Sequence, residues 1–566
     1  MTALTSFEGH LNHNMPIVIV LLLSLTLNMW GIRWGAPQQW HPDEITGLTI
    51  SMVAERSINP HNYPYGHLHY YVLAVGAVIP VYAFSVLFDP PPSKTDTAAR
   101  ARWWEPRLAT MMVIARIISA VMSTAVVFFT YVIGRILFDK QTAYLSALFL
   151  SISVAFISVA HFATVDSPAN FWYWLSCLSS LLIWKKGDWR WYVLGALTAG
   201  FAIGIKVDRV VVLVPLTISM LLRREPVEFR KVSGVLSIVG LGYLLANLAL
   251  FTSFFESVDG ITRDLFYNAL RSGDDGSSHL QVVERVTTGL GWPLFISAVC
   301  GLFYGLFNLV GSRNAHAIWW LFAAIVPYFV LFSSMGVQPW YIPFFLPALA
   351  VLAARAWTDL LNAVPKPSSW IANAALGVVV LYTFLYALAV DLQFSNDSRL
   401  LASKWIDANV PKSARIEVGE WGPFVSGDRY TVVYSRRDAG TMDFAIENRK
   451  RLEQHAFYSR FRRALLASER WAGQTFSIPI REKPYTAWFD REHARTAAPA
   501  IGENNSPADY VMLNEDLNSK KIQQLMGDAS GYRLRANFKY VDPLGLSPAA
   551  PFVNPPIYVF QRVVSH

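Results

Sequence analysis

What most restricts this 566-residue chain is a succession of about twelve apolar runs, near residues 16–34, 68–88, 109–137, 142–160, 167–184, 189–205, 207–222, 232–255, 289–310, 316–335, 340–358 and 370–390. A helix needs about 20 apolar residues to cross a bilayer, so the chain up to residue 392 reads as an all-α polytopic membrane bundle. Composition agrees, since 53% of residues are hydrophobic and only 16% charged, against about 25% charged in soluble domains. The net charge of +8 lies in short basic pairs between apolar runs rather than on one basic face, which argues against nucleic acid as a partner. Cys177 and Cys300 both fall inside apolar runs, which argues against a disulfide framework or a thiolate zinc site. With no Lys or Arg before Arg33 and no convincing cleavage site, the first run is expected to be a retained span.

Loop charge orients the bundle. Arg135 and Lys140, Lys185, Lys186 and Arg190, Arg223, Arg224, Arg230 and Lys231, Arg313, and Arg355 with Lys366 occupy alternate connections, and the positive-inside rule makes these cytoplasmic. Residues 161–168, the 256–288 loop and everything after 391 then face outward. For QQWHPDEITG, residues 38–47, to share that side, the 68–88 run must not cross. Pro80 interrupts it and His67 and His69 stand at its start, so a juxtamembrane or re-entrant element is expected, leaving about eleven spans. The fold class expected is a membrane bundle of residues 1–392 followed by a small soluble extracytoplasmic α/β domain, 393–566. In the latter a helix-period stretch at Leu401, Ala402, Trp405 and Ile406 precedes the strand-like runs RIEVGE, YTVVYS, YVMLNE and IYVFQRV. The loop at 255–279, with Gly273 and Gly276 among charges, reads as a mobile cover or a plain polar connector.

Three polar elements fall at the outward ends of these runs. Asp43 and Glu44 follow His41 and Pro42; Asp166 follows His161; and Lys206, Asp208 and Arg209 lie within one turn. Each has a bland reading. Pro42 with two acids suits the first turn of a helix running from Ile45 to Val53, Ser167 and Pro168 suit a cap and first helical residue, and the basic pair suits snorkelling cations. Their coincidence on one membrane face favours a site, because carboxylates at a membrane boundary are costly to place. Lys206 and Arg209 would then clamp a lipid phosphate, the lysine as a point charge and the arginine through two parallel bonds.

These stretches resemble the membrane-embedded GT-C glycosyltransferases that use polyprenyl-phosphate sugars, close to the protein O-mannosyltransferase and lipid A aminoarabinose transferase group. The similar segments are WHPDE, NPHNYPYGHLHYY at 59–71, ARIISAVMSTAVVFFTYVIGRILF at 115–138, VAHFATVDSPANFW at 159–172, PWYIPFFLPALAVLAA at 339–354, DSRLLASKWIDANVP at 397–411 and the closing PPIYVFQR. The resemblance implies an inverting glycosyltransferase in the plasma (inner) membrane, its active site outward, with a polyprenyl-phosphate sugar as donor and a glycan, lipid or protein as acceptor. It implies Asp43 as catalytic base, Glu44 and Asp166 as its acidic companions, Arg116, Lys206 and Arg209 as donor-phosphate contacts, and His41, Tyr65, His67, His161 and Tyr341 as substrate contacts. One departure is that Gln338 stands before Tyr341 where many relatives carry a basic residue.

Displacing a lipid phosphate from an anomeric carbon needs a base for the acceptor hydroxyl and cations for the departing anion, but no acid. Partial burial would raise the base's pKa toward the operating range. No cofactor is required. Asp43, Glu44 and Asp166 offer hard oxygen ligands to a divalent metal, although no spacing demands one. The rival reading is a lipid or glycolipid transporter with an outer accessory domain, which would place its charges at the bilayer midplane in broken helices.

Overall fold

The computed structural model describes residues 2–566 except 64, 94, 224, 226–227, 264–278, 311, 335–337, 420, 428, 435–459, 466, 469–506, 528–529, 547, 549, 551 and 564–566. Helices fill the described chain up to Asn409, and a small sheet follows. Four described helices are long and apolar enough to cross a membrane: Leu68–Phe88, Arg102–Leu137, Phe229–Ala246 and Lys366–Asn409. Two bent pairs, Lys140–Ser151 with Val154–Ala160 at 60° and Gln281–Leu290 with Trp292–Phe307 at 118°, bring the number to six if each pair is one span. The chain is a membrane protein built on apolar helices. The expected eleven or so spans do not, however, appear as that many long helices among the described residues.

Local breaks explain the shortfall. Ile152 and Ser153 separate the first bent pair, and Gly291, at φ 74°, turns the chain between the members of the second. The runs drawn from 207 and 340 begin as tight 3-10 turns, Val207–Val212 and Pro339–Phe344, before the helices Leu213–Leu222 and Leu346–Ala363.

The 68–88 run is less interrupted than its sequence suggests. It is continuous over 21 residues, α-helical at Leu68–Leu73 and Ile79–Phe88 with a wider π turn at Ala74–Val78 between them. A proline in a regular helix clashes with the carbonyl four residues back and cannot bond it. Here the π turn shifts those carbonyls out of register just before Pro80, so the helix passes through. Val75, Phe84, Leu87 and Phe88 are exposed along it.

Beyond the helices Ser369–Ser395 and Ser398–Asn409, five strands form one sheet: β1 Arg415–Val418, β2 Thr431–Tyr434, β3 Tyr510–Asn514, β4 Tyr532–Phe538 and β5 Ile557–Arg562. Their order is β2-β1-β3-β5-β4, with β1 parallel to β2 and β3, and β5 antiparallel to β3 and β4. Four of the five match the strand-like runs in the sequence. Strand β4 escapes that reading because it lies at the sheet edge with Arg533 and Arg535 exposed, as edge strands commonly do. Ile406 from the preceding helix packs with Ile416, Val418, Met512 and Val559 as the domain's core. The boundary drawn between 392 and 393 falls inside the helix ending at Ser395.

Candidate active site

The first loop approaches the bundle through a turn, not a helix start. Pro42 and Asp43 lie in a turn, and the next helix begins only at Thr46, with no acid in its first turn. The helix dipole therefore does not account for Asp43 and Glu44. The Asp43 backbone N–H donates to His41 Nδ1 at 3.1 Å, which makes that nitrogen the acceptor in a neutral ring. Burial pushes His41 down to about 4, outweighing the opposing charges of Glu44 and Asp166. The loop is stitched to the segment before Asp166, since the Ile45 N–H donates to the Ala163 carbonyl at 3.1 Å.

Glu44 and Arg116 form a sealed pair. Arg116 Nε and Nη2 donate to the two Glu44 oxygens at 2.7 and 2.8 Å, and the Ala163 N–H donates to Oε1 at 3.0 Å. Arg116 Nη1 reaches the carbonyls of Ile32, at 3.0 Å, and Trp34. Both side chains are 0% exposed. Burial opposes the Glu44 charge, but Arg116 beside it holds the carboxyl below the usual glutamate range. The pair is turned inward: Arg116 directs its bonds to Glu44, Ile32 and Trp34, both oxygens of Glu44 accept from protein donors, and neither side chain is exposed, which favours a positioning role over contact with a donor phosphate or a metal. Among the described residues, no three His, Cys, Asp and Glu side chains come together to hold a metal.

Asp166 and Lys206 form a more open pair. Asp166 is the first residue of the helix Asp166–Lys186, yet its side chain does not cap it. Lys206 Nζ donates to its Oδ1 at 2.6 Å and Thr164 Oγ1 to its Oδ2 at 3.3 Å. Ser167, expected as the cap, instead donates to the Val159 carbonyl at 3.0 Å. Lys206 lies 4.7 Å from the Tyr341 ring centre and 5.8 Å from that of Tyr65. Gly66 fixes this geometry: its N–H donates to the Ile205 carbonyl at 2.8 Å, and a Cβ there would fall 1.3 Å from the Gly204 oxygen. Tyr65 and Lys206 therefore flank one backbone contact that only glycine permits. Asp43 and Asp166 both act electrostatically on the Tyr65 hydroxyl, which burial has already pushed well up.

Arg209 donates through Nη1 to Tyr328 at 2.7 Å and Asp208 at 3.1 Å, and lies 3.7 Å over the Phe344 ring. Its Nε and Nη2 are buried without a hydrogen-bond partner, which for a guanidinium calls for an explanation.

His161 is placed differently from the expectation. Its ring nitrogens face the carbonyls of Ile157 at 2.9 Å and Trp30 at 2.7 Å, and it stacks on Phe394 at 4.1 Å. It ties helices together and does not contact the cavity described below. His67 is buried among Tyr63, Tyr70 and Tyr71, with its N–H bonded to Asn247 at 3.3 Å. Of the expected cover, residues 264–278 lie outside the described residues. Glu256, at its start, is anchored to the first loop by His61 at 2.5 Å, Asn59 at 3.2 Å and Tyr63.

A cavity of about 630 Å³ opens where the bundle meets the outer domain. His41, Thr164 and Asp166 line it, as do Gln338 and Trp340, and the outer domain contributes Lys539, Tyr540, Asp542, Phe552 and Asn554 among others. Asp43, Lys206, Arg209 and Tyr341 are not in its wall, so Asp166 stands between the cavity and the cations. Sequence reasoning missed the outer domain's share in this wall. It also missed Asp397 and Arg399, which bond each other at 2.8 and 2.7 Å while Trp34 Nε1 donates to Asp397 at 2.9 Å. An Asp-x-Arg step beside two loop tryptophans was the available signal.

Residues 109–251 match the family model described as dolichyl-phosphate-mannose-protein mannosyltransferase. That segment contains Arg116, His161, Asp166, Lys206 and Arg209. No curated protein sequence matches the chain significantly. Among solved structures, the chain is similar to ArnT from Cupriavidus metallidurans bound to undecaprenyl phosphate, at 15% identity, TM-score 0.49, with 98% of this chain and 99% of that one covered. It is also similar to the Archaeoglobus fulgidus oligosaccharyltransferase in its apo form, at 16% identity, TM-score 0.43, covering 72% of this chain and 59% of that one. The chain thus spans only about three fifths of the archaeal enzyme. Likeness at these identities and scores does not bear on chemistry, and the family match carries more.

Proposed function

We propose that this chain is an inverting glycosyltransferase that moves a sugar from a polyprenyl-phosphate donor to an acceptor hydroxyl, on the outward face of the plasma membrane. The observation that carries the reading is the Asp166–Lys206 pair beside the Tyr65 ring, with Asp166 and His41, two residues before Asp43, in the wall of a cavity large enough for a small ligand. The match of residues 109–251 to a mannosyltransferase family supports the same reaction class.

Asp43 accepts the proton of the acceptor hydroxyl; the acceptor oxygen attacks the anomeric carbon; and the bond to the phosphate oxygen breaks, its electron pair leaving with the lipid phosphate. Lys206 stabilises the negative charge growing on that oxygen, the interaction from which rate is gained. The unbonded Nε and Nη2 of Arg209 support it as the second cation. Asp166 holds Lys206 in place and borders the acceptor side. Glu44 and Arg116 position the turn that carries Asp43, and Tyr65 and Tyr341 shape the space around the ammonium. Residues 1–395 form the membrane catalytic domain and 396–566 the outer domain. The test is transfer of labelled sugar from a polyprenyl-phosphate hexose by membranes containing Asp43→Asn. Loss of transfer with normal protein levels is expected, and full transfer would remove the base.

A further inference from the structure

The outer domain reaches the cavity through a strap with unusual backbone geometry. Phe552 and Asn554 both adopt left-handed conformations, φ 63° and 58°, which are strained for a residue such as Phe and persist only where the surroundings hold them. Four bonds hold the strap. The Asn554 N–H donates to Asp397 Oδ2 at 2.9 Å, Asn554 Nδ2 to the Gln393 carbonyl at 3.0 Å, the Ser398 N–H to Asn554 Oδ1 at 2.9 Å, and Arg399 Nη2 to the Phe552 carbonyl at 2.7 Å. Arg399 itself is 1% exposed and lies over Trp40 at 4.1 Å and Trp34 at 5.1 Å. The clamp that shapes the strap thus also grips the loop carrying Asp43.

The strap sets the Phe552 ring into the cavity wall, 4.7 Å from His41 and 6.2 Å from Trp340, nearly parallel to the latter at 26°. The rings are offset, and each is only partly buried and lines the cavity. No strand residue of the sheet lines the cavity; its outer-domain wall is loop, between the end of β4 and the start of β5. An extended peptide that recognised this site by adding to a sheet would find no edge there. A sugar ring, with C–H groups on its face and hydroxyls at its rim, matches two aromatic faces set among polar side chains.

We propose that Phe552 and Trp340 form a platform for a hexopyranose ring of the acceptor, so that the outer domain selects a glycan rather than a peptide. Phe552 is the specificity-determining residue, and Asp397 and Arg399 are positioning residues that hold it. The proposal rests on the glycosyl-transfer reading and adds the acceptor's chemical class.

The test uses the full chain in a detergent without a sugar headgroup. Saturation-transfer NMR is recorded with methyl hexopyranosides, with maltose, and with a serine-containing hexapeptide. Transfer to the ring C–H protons of a saccharide is expected, with affinity falling about tenfold in Phe552→Gly, the scale of one lost aromatic contact. Glycine accepts the left-handed backbone without strain, so the melting temperature should not fall; if it does, Phe552→Asn, which also tolerates that conformation, replaces it and must show the same loss. No saccharide binding, binding that survives loss of the ring, or binding of the hexapeptide alone would overturn the platform. Release of polyprenyl phosphate from a polyprenyl-phosphate hexose is followed in the same preparation. Its absence would sink glycosyl transfer itself, whereas release without saccharide binding at Phe552 would sink only the platform.

Discussion

Two buried ion pairs lie side by side in this protein and behave as opposites. Glu44 and Arg116 bond each other twice, add one backbone donor and two carbonyls, and expose nothing. Asp166 and Lys206 share a single bond and are 7% and 9% exposed, and Asp166 lines a cavity. The first pair is turned wholly inward, as a pair that holds structure would be. The second is the more open of the two, as the proposed reaction needs. What separates them is how many bonds each makes inside the protein, more than charge.

The sharpest way to break this comparison is to open the sealed pair. Arg116→Ala should cost about 3–5 kcal/mol by leaving Glu44 charged and unpaired in the interior, seen as loss of folded protein or a large fall in melting temperature in detergent. A variant that stays fully stable but loses donor affinity would return Arg116 to the phosphate. Next in size, Asp43→Asn should lower transfer by roughly 100-fold or more, the range of a lost general base, with melting temperature unchanged. Lys206→Ala should weaken both the maximal rate and donor binding, by about tenfold or more for a lost charge-assisted contact, and Lys206→Arg should restore part of it. An effect on stability alone would make this pair resemble the first.

The smallest effect concerns His41, whose pKa is depressed to about 4 from 6.5 by burial. Above pH 6.5 both folded and unfolded chains hold it neutral. As pH falls below 6.5 the unfolded chain binds a proton that the folded one refuses, so stability is lost until pH reaches about 4. Between pH 7 and 5.5 this amounts to roughly 1 kcal/mol. His41→Gln should flatten the pH dependence of the melting temperature by that amount, and an unchanged slope would mean that His41 titrates alike in the folded and unfolded chains.

Much of this was legible in the chain. Apolar runs mark the helices, alternating runs mark four of the strands, and the clustering of Asp43, Asp166 and Lys206 at run ends points to the residues proposed here as the site. What escaped depends on partners far away in sequence. Whether Glu44 reacts or only holds is decided by Arg116, 72 residues on, and no local pattern reveals that bond. Pro80 read as a break because the π turn that accommodates it has no signature in hydropathy. The role proposed for Phe552 depends on Asp397, Arg399 and Trp340, which lie more than 150 residues before it in the chain.

The contact of Gly66 with Gly204 and Ile205 has a mechanical result. Because the backbones touch with no side chain between them, the segment bearing Tyr65 and the one bearing Lys206 travel as one piece. On the proposed reading, any displacement of the first loop would carry the Lys206 ammonium with it, so that loosening the lipid phosphate and resetting the loop would be a single stroke.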